Sequence, residues 1–135
     1  MKAIDTNILV RVVTRDDPEQ FAAAAEVMKA GSLWVAKTVL LETAWVLQFA
    51  YRLPREVCLD ALRRIVGYEN LTVEDNAGVL RALAWAAQGM EFADALHLAS
   101  AGECEEFVTF DRKFVSKAGE IEEGVPVRFP VTTAR

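Results

Sequence analysis

Short stretches of strand composition alternate with helical periodicities along all 135 residues, and that alternation leaves few architectures open. Residues 2–4 read as a strand, followed by an apolar helix through Ile8, Leu9, Val12 and Val13. Asp16-Asp17-Pro18 reads as a turn in which Pro18 opens the next helix; there Phe21, Ala24, Ala25 and Met28 recur at helical spacing until Gly31 ends it. A strand over 33–36 leads to Thr38 as the expected N-cap of a helix running to Ala50. Pro54 begins another helix, with Val57, Ala61, Leu62 and Ile65 as its buried stripe. Beyond it come a strand over 71–73, then Asp75 and a helix up to Gly89, a helix around Asp94 ending near Gly102, and a strand over 107–109. A short helix near 113–117 and a closing strand over 125–129 complete the chain. With no linker, repeat or low-complexity segment, this predicts one 135-residue domain of the α/β class, a three-layer α/β/α sandwich around a mostly parallel sheet.

Four acids sit where acids are awkward. Asp5 follows Ala3-Ile4, Glu42 interrupts Val39-Leu40-Leu41, Asp94 lies in Phe92-Ala93-Asp94-Ala95-Leu96, and Asp111 closes Phe107-Val108-Thr109-Phe110. Buried carboxylates are costly unless paired, hydrogen-bonded or bound to a cation. Each has a local explanation: Asp5 and Asp94 as helix caps, Glu42 in a buried ion pair, Asp111 in a turn before Arg112-Lys113. Glu42 is the sharpest case, because residues 38–50 read as a helix apolar around most of its circumference and therefore buried. In a parallel sheet, ligands bind beyond the carboxyl ends of the strands. Asp5 and Asp111 follow strands, and Glu42 and Asp94 are expected in the first turns of helices facing that crevice, where the dipole favours anions. Four segments could thus deliver four carboxylates to one place, a cluster that a divalent ion with oxygen ligands would neutralise.

Composition narrows the rest. A hydrophobic fraction of 53% supplies a core, yet no apolar run approaches the ~18–20 residues that cross a bilayer. Only Ala3 and Ile4 separate Lys2 from Asp5, so no signal-peptide apolar region is read there, and a cytoplasmic protein without a membrane partner is expected. Cys58 and Cys104, expected in helices and without CxxC or Cys/His spacing, read as reduced packing residues. Trp34, Trp45 and Trp85 read as core. A net charge of −5 excludes a grip on nucleic acid through bulk positive surface, though not a nuclease with a carboxylate-lined site.

Ala3-Ile4-Asp5-Thr6-Asn7-Ile8-Leu9, the lone Glu42 before Thr43-Ala44-Trp45, Phe92-Ala93-Asp94-Ala95-Leu96-His97-Leu98-Ala99 and Val108-Thr109-Phe110-Asp111 resemble the signature segments of PIN-domain ribonucleases. Length and motif wording are most similar to the VapC toxins of toxin–antitoxin pairs. One departure stands out: a common form of the pattern has another acid just after the fourth segment, where this chain has Lys113 and Phe114. Glu91, three residues before Asp94, reads as a solvated helix-start residue.

The resemblance implies Mg²⁺- or Mn²⁺-dependent endonucleolytic cleavage of structured RNA, tRNA or rRNA. Residue chemistry agrees, since hydrolysis of a phosphodiester needs an activated water and relief of charge on phosphate and leaving oxygen, both of which divalent ions supply. Asp5 and Asp94 are the expected direct ligands, with Asp111 and Glu42 binding directly or through water. Thr6, Asn7 and Thr109 are expected as hydrogen-bond donors that orient the acids. Arg11, Arg15, Lys37, Arg112 and Lys113 are candidate contacts to the RNA backbone. His97 reads as a packing or hydrogen-bonding residue, and one histidine cannot form the pair used by metal-free ribonucleases.

Partners follow from the same resemblance: a VapB-like antitoxin whose tail can lie across the acids, often with an arginine, a homodimer, and operator DNA bound only through the antitoxin. Two other classes compete. A phosphatase of the haloacid-dehalogenase type would want an aspartate two positions after Asp5, where Asn7 stands, and a receiver domain would want an acidic pair before the first helix and a lysine at the place of Asp111. A non-catalytic PIN-like RNA-binding protein would keep the acids without turnover.

Overall fold

The computed structural model describes residues 1–131 and resolves into two compact units, Met1–Val79 and a second beginning at Leu80. In the first, β1 (Lys2–Ala3), β2 (Leu33–Val35) and β3 (Leu71–Val73) form a parallel sheet in the order β1-β2-β3. The crossover from β1 to β2 carries α1 (Thr6–Thr14) and α2 (Pro18–Lys29). The crossover from β2 to β3 carries α3 (Lys37–Trp45), a π-turn (Val46–Ala50) and α4 (Arg55–Val66). Leu9, Leu33, Val35, Leu40 and Leu47 have no exposed surface, so sheet and helices close over one apolar interior.

The helix starts are chemical. Asp17 caps α2 by accepting from the Gln20 N–H at 3.1 Å, and Pro18 fills the first helical position, where a missing N–H costs nothing. Thr38 is not the cap of α3, as the sequence suggested. The helix begins two residues earlier, with Ala36 as cap and Lys37 as its first residue, where the Glu74 carboxylate reaches across from the end of β3 to accept the Lys37 N–H at 2.9 Å.

In the second unit, reached along α5 (Asn76–Ala87), come α6 (Phe92–Ser100), β4 (Phe107–Val108), α7 (Arg112–Gly119) and β5 (Val127–Arg128), with β4 and β5 paired in parallel. Its interior gathers Trp85, Met90, Ala95, Leu98 and Phe114. The Phe107 and Phe114 rings meet at 5.1 Å between centroids. Gly124 has φ of +90°, and a Cβ there would stand 3.0 Å from Trp85 Cη2, so conformation and space both call for glycine.

The α/β class with parallel strands is therefore the observed one. Several local expectations differ. The buried stripe of α4 is Cys58, Leu59, Leu62 and Ile65, with Val57 47% exposed. Cys104 is exposed and lies beyond α6, not within a helix, and both cysteines are free. The segment around Glu42 is not apolar-buried all round, since Glu42 and Trp45 are exposed. Among the described residues no helix is long and apolar enough to cross a membrane.

Candidate active site

In the first unit the carboxyl ends of β1, β2 and β3 are followed by Asp5, Lys37 and Glu74-Asp75, and the candidate chemistry gathers at that end of the sheet. Asp5 has extended backbone and caps α1: its Oδ1 accepts from the Thr6 N–H at 2.7 Å. Thr6 is buried, and its hydroxyl donates to Glu42 Oε1. One residue thus ties together two carboxylates from segments 37 positions apart, through its backbone to Asp5 and its side chain to Glu42. The second oxygen of each acid has no hydrogen-bond partner among the described residues. Glu42 is the sixth residue of α3, not part of its first turn, so its position owes nothing to the dipole at the helix start.

Asn7 is exposed and makes no side-chain hydrogen bond among the described residues, so the orienting role expected of it is not seen. Sequence reasoning passed over Glu74 and Asp75. Both follow β3 directly, which was the available signal, and both are engaged: Glu74 caps α3, and Asp75 pairs with Lys37 Nζ at 3.2 Å.

In the second unit Asp94 is the third residue of α6, in the first turn but not the cap, a position held by Glu91. It is half-buried and has neither hydrogen bond nor ion pair among the described residues. Burial pushes its carboxyl above the ordinary range, the charge of Asp111 adds to that, and His97 and Lys113 work against it. Asp111 caps α7, its Oδ1 accepting from the Phe114 N–H at 3.1 Å, again with the other oxygen open. Thr109 does serve Asp111, though as acceptor: its Oγ1 takes the Asp111 N–H at 3.0 Å and fixes the backbone, not the carboxylate. His97 is exposed and not part of the core. Glu91 sits at the solvated start of α6 with Lys113 Nζ 3.6 Å away.

The basic candidates divide by commitment. Arg11 is bound inward: Nη1 meets Asp16 at 3.0 Å and the Tyr51 hydroxyl at 2.9 Å, and Nε donates to Gln20. The Tyr51 bond chiefly raises its already high proton affinity. That network removes Arg11 from the set free to meet a substrate. Arg15 lies over the Phe21 ring at 4.8 Å, and Lys37 is held by Asp75. Arg112 is exposed and has no ion pair among the described residues.

Within the first unit Thr6 links Asp5 and Glu42, and within the second the charges of Asp94 and Asp111 act on one another. Among the described residues no group of three or more His, Cys, Asp or Glu side chains is gathered closely enough to hold a metal ion. Their donor chemistry still suits a hard divalent cation, since every open position is a carboxylate oxygen and none is sulfur or imidazole.

No curated protein sequence matches the chain. A solved structure of the VapC20 toxin from Mycobacterium tuberculosis, described as cleaving the sarcin–ricin loop, aligns at 19% identity with a TM-score of 0.45, over 92% of this chain and 99% of that one. The family profile described as PIN domain matches residues 2–120, which include all four acids. The chain belongs to the PIN-domain family.

Proposed function

We propose that this chain is a single PIN-like domain over 1–135 acting as a VapC-type endoribonuclease, with Asp5, Glu42, Asp94 and Asp111 as the oxygen ligands of Mg²⁺ or Mn²⁺. The observation that carries the reading is Asp94. A half-buried carboxylate that makes no hydrogen bond among the described residues, its charge opposed by burial and by Asp111, keeps both oxygens open to a cation. A divalent cation at these oxygens would supply the missing charge, lower the pKa of an attacking water and offset charge on the phosphate. The chain's own contribution is positioning. Thr6 holds Asp5 and Glu42 by one oxygen each, leaving the other to face a cation or accept a proton from water. The Phe114 N–H does the same for Asp111. Lys37, Arg112 and Lys113 remain the candidate phosphate contacts, joined by Arg15 at the end of α1.

The substrate in this reading is structured RNA such as tRNA or rRNA, and the setting is the cytoplasm. The partner is a VapB-like antitoxin, which would carry operator binding and could place a guanidinium where the cation's charge is needed. A homodimer completes the proposal. Structured RNAs incubated with the antitoxin-free chain are expected to be cut with Mg²⁺ or Mn²⁺ and to stay whole in EDTA, with cutting restored when metal is returned. Equal cutting in EDTA would sink the metal role; no cutting across a broad RNA panel would sink the nuclease.

Thr6 offers a finer test. Thr6→Val keeps the shape and removes the hydroxyl from Glu42, so the rate at saturating metal is expected to fall about 10–100-fold, the scale for residues that orient ligands. Glu42 is exposed and regains water, so thermal melts should move by less than about 1 kcal/mol. An unchanged rate would remove Thr6 from the machinery.

A further inference from the structure

Beyond Trp45, α3 widens into the π-turn, where the Tyr51 N–H reaches back to Val46 O at 3.1 Å. Such turns are rare and tend to mark functional positions. This one is pinned at its far end, the Tyr51 hydroxyl donating to Asp16 Oδ2 at 2.8 Å and accepting from Arg11 Nη1 at 2.9 Å. Trp45 and Phe49 stand on its outer side, 60% and 56% exposed, with ring centroids 5.7 Å apart and planes inclined at 42°. Leu40 and Leu47 of the same stretch are wholly buried. The surface left open is therefore aromatic ring. Glu42 precedes Trp45 by three residues and Trp45 precedes Phe49 by four, the spacings that line side chains along one helix face.

We propose that Trp45 and Phe49 form a stacking subsite for an unpaired base of the RNA substrate, holding the nucleotide beside the phosphodiester that is presented to Glu42. The inference rests on the nuclease reading above and adds to it how the substrate is held. A chain of net charge −5 gains no hold on phosphates from its bulk charge. Stacking on an aromatic ring needs no such charge and tolerates any base.

The test uses a labelled, mixed-sequence, single-stranded oligoribonucleotide and fluorescence anisotropy with the full chain carrying Asp94→Asn, so that the probe stays whole. Adding Trp45→Ala is expected to weaken binding about 10-fold, Trp45→Phe to restore most of it, and Tyr68→Ala, an exposed aromatic change elsewhere, to leave it unchanged. An abasic probe of the same length should bind weakly and equally with and without Trp45→Ala. If Trp45→Ala binds the RNA as its parent does while the wild-type chain still cuts RNA, the subsite is overturned and the nuclease stands. If the wild-type chain cuts no RNA, the nuclease reading falls and the subsite with it. If Trp45→Ala lowers the particle mass in light scattering with RNA binding intact, the pair belongs to a protein contact and the inference is wrong.

Discussion

Asp94→Asn is expected to lower RNA cleavage by at least about 10²–10³-fold, the scale for losing one preorganised electrostatic group, and yet to leave the protein harder to melt. The sign of the second effect follows from proton affinity. Burial and Asp111 hold the folded-state carboxyl above its usual value of 3.8, so ionising it at neutral pH costs the folded state free energy that the unfolded chain does not pay. Asparagine removes that cost. The gain is full at neutral pH and vanishes as pH falls through the raised folded-state value to below the ordinary carboxylate range, where both states hold the proton. Because the group is still substantially open to water, the gain stays below about 1 kcal/mol, a rise of up to about 3 °C. Melting curves at neutral and acid pH, beside initial rates, check both halves. A variant that melts lower than its parent at neutral pH would show that the acid is satisfied within the protein after all.

The largest effect on stability is expected at Trp85, which is 2% exposed and lies against the space left by Gly124. Trp85→Ala removes the largest side chain of that interior, and the positive φ of Gly124 leaves its segment little freedom to follow the retreating surface. A loss of about 3–5 kcal/mol is expected, lowering the melting midpoint by roughly 10–15 °C. Gly124→Ala should be milder, since it adds strain and one close contact but opens no cavity. A Trp85→Ala midpoint within a degree or two of the parent would mean that the ring carries little of the packing.

What could be read in the sequence was whatever a residue decides locally. Asp5, read as a helix cap, caps α1, and Asp17 and Asp111, read only as turn residues, also offer an oxygen to the first N–H groups of the helices that follow. The strand over 71–73 was legible from its β-branched pattern and falls on the observed residues. Other features are set at a distance. Lys37 opens α3 because Glu74, far along the chain, supplies the cap, and nothing near Thr38 reveals that. The exposure of Trp45 was missed because an apolar side chain signals burial only on average, and the π-turn, defined by an i→i−5 bond, has no residue signature. At the candidate site, the four acids and Thr6 were visible as residue types, and Thr6 does bond to two of the acids. Which carboxylate would have no partner was not, since that depends on every donor the fold brings near it. Asn7 and Arg11 show the same limit in opposite ways, one left idle and the other fully occupied.

Asp5 and Asp111 each start a helix, whereas Asp94 starts none. In a cell harmed by this chain, escape would come through lesions that silence it, and these acids would not be equivalent targets. Loss of a capping acid loosens its helix by about 1 kcal/mol, so the silenced chain would also become scarcer. Where the proposed antitoxin is present, a chain silenced at position 94 would persist at full abundance, keep the rest of its surface and occupy inhibitor that active copies need.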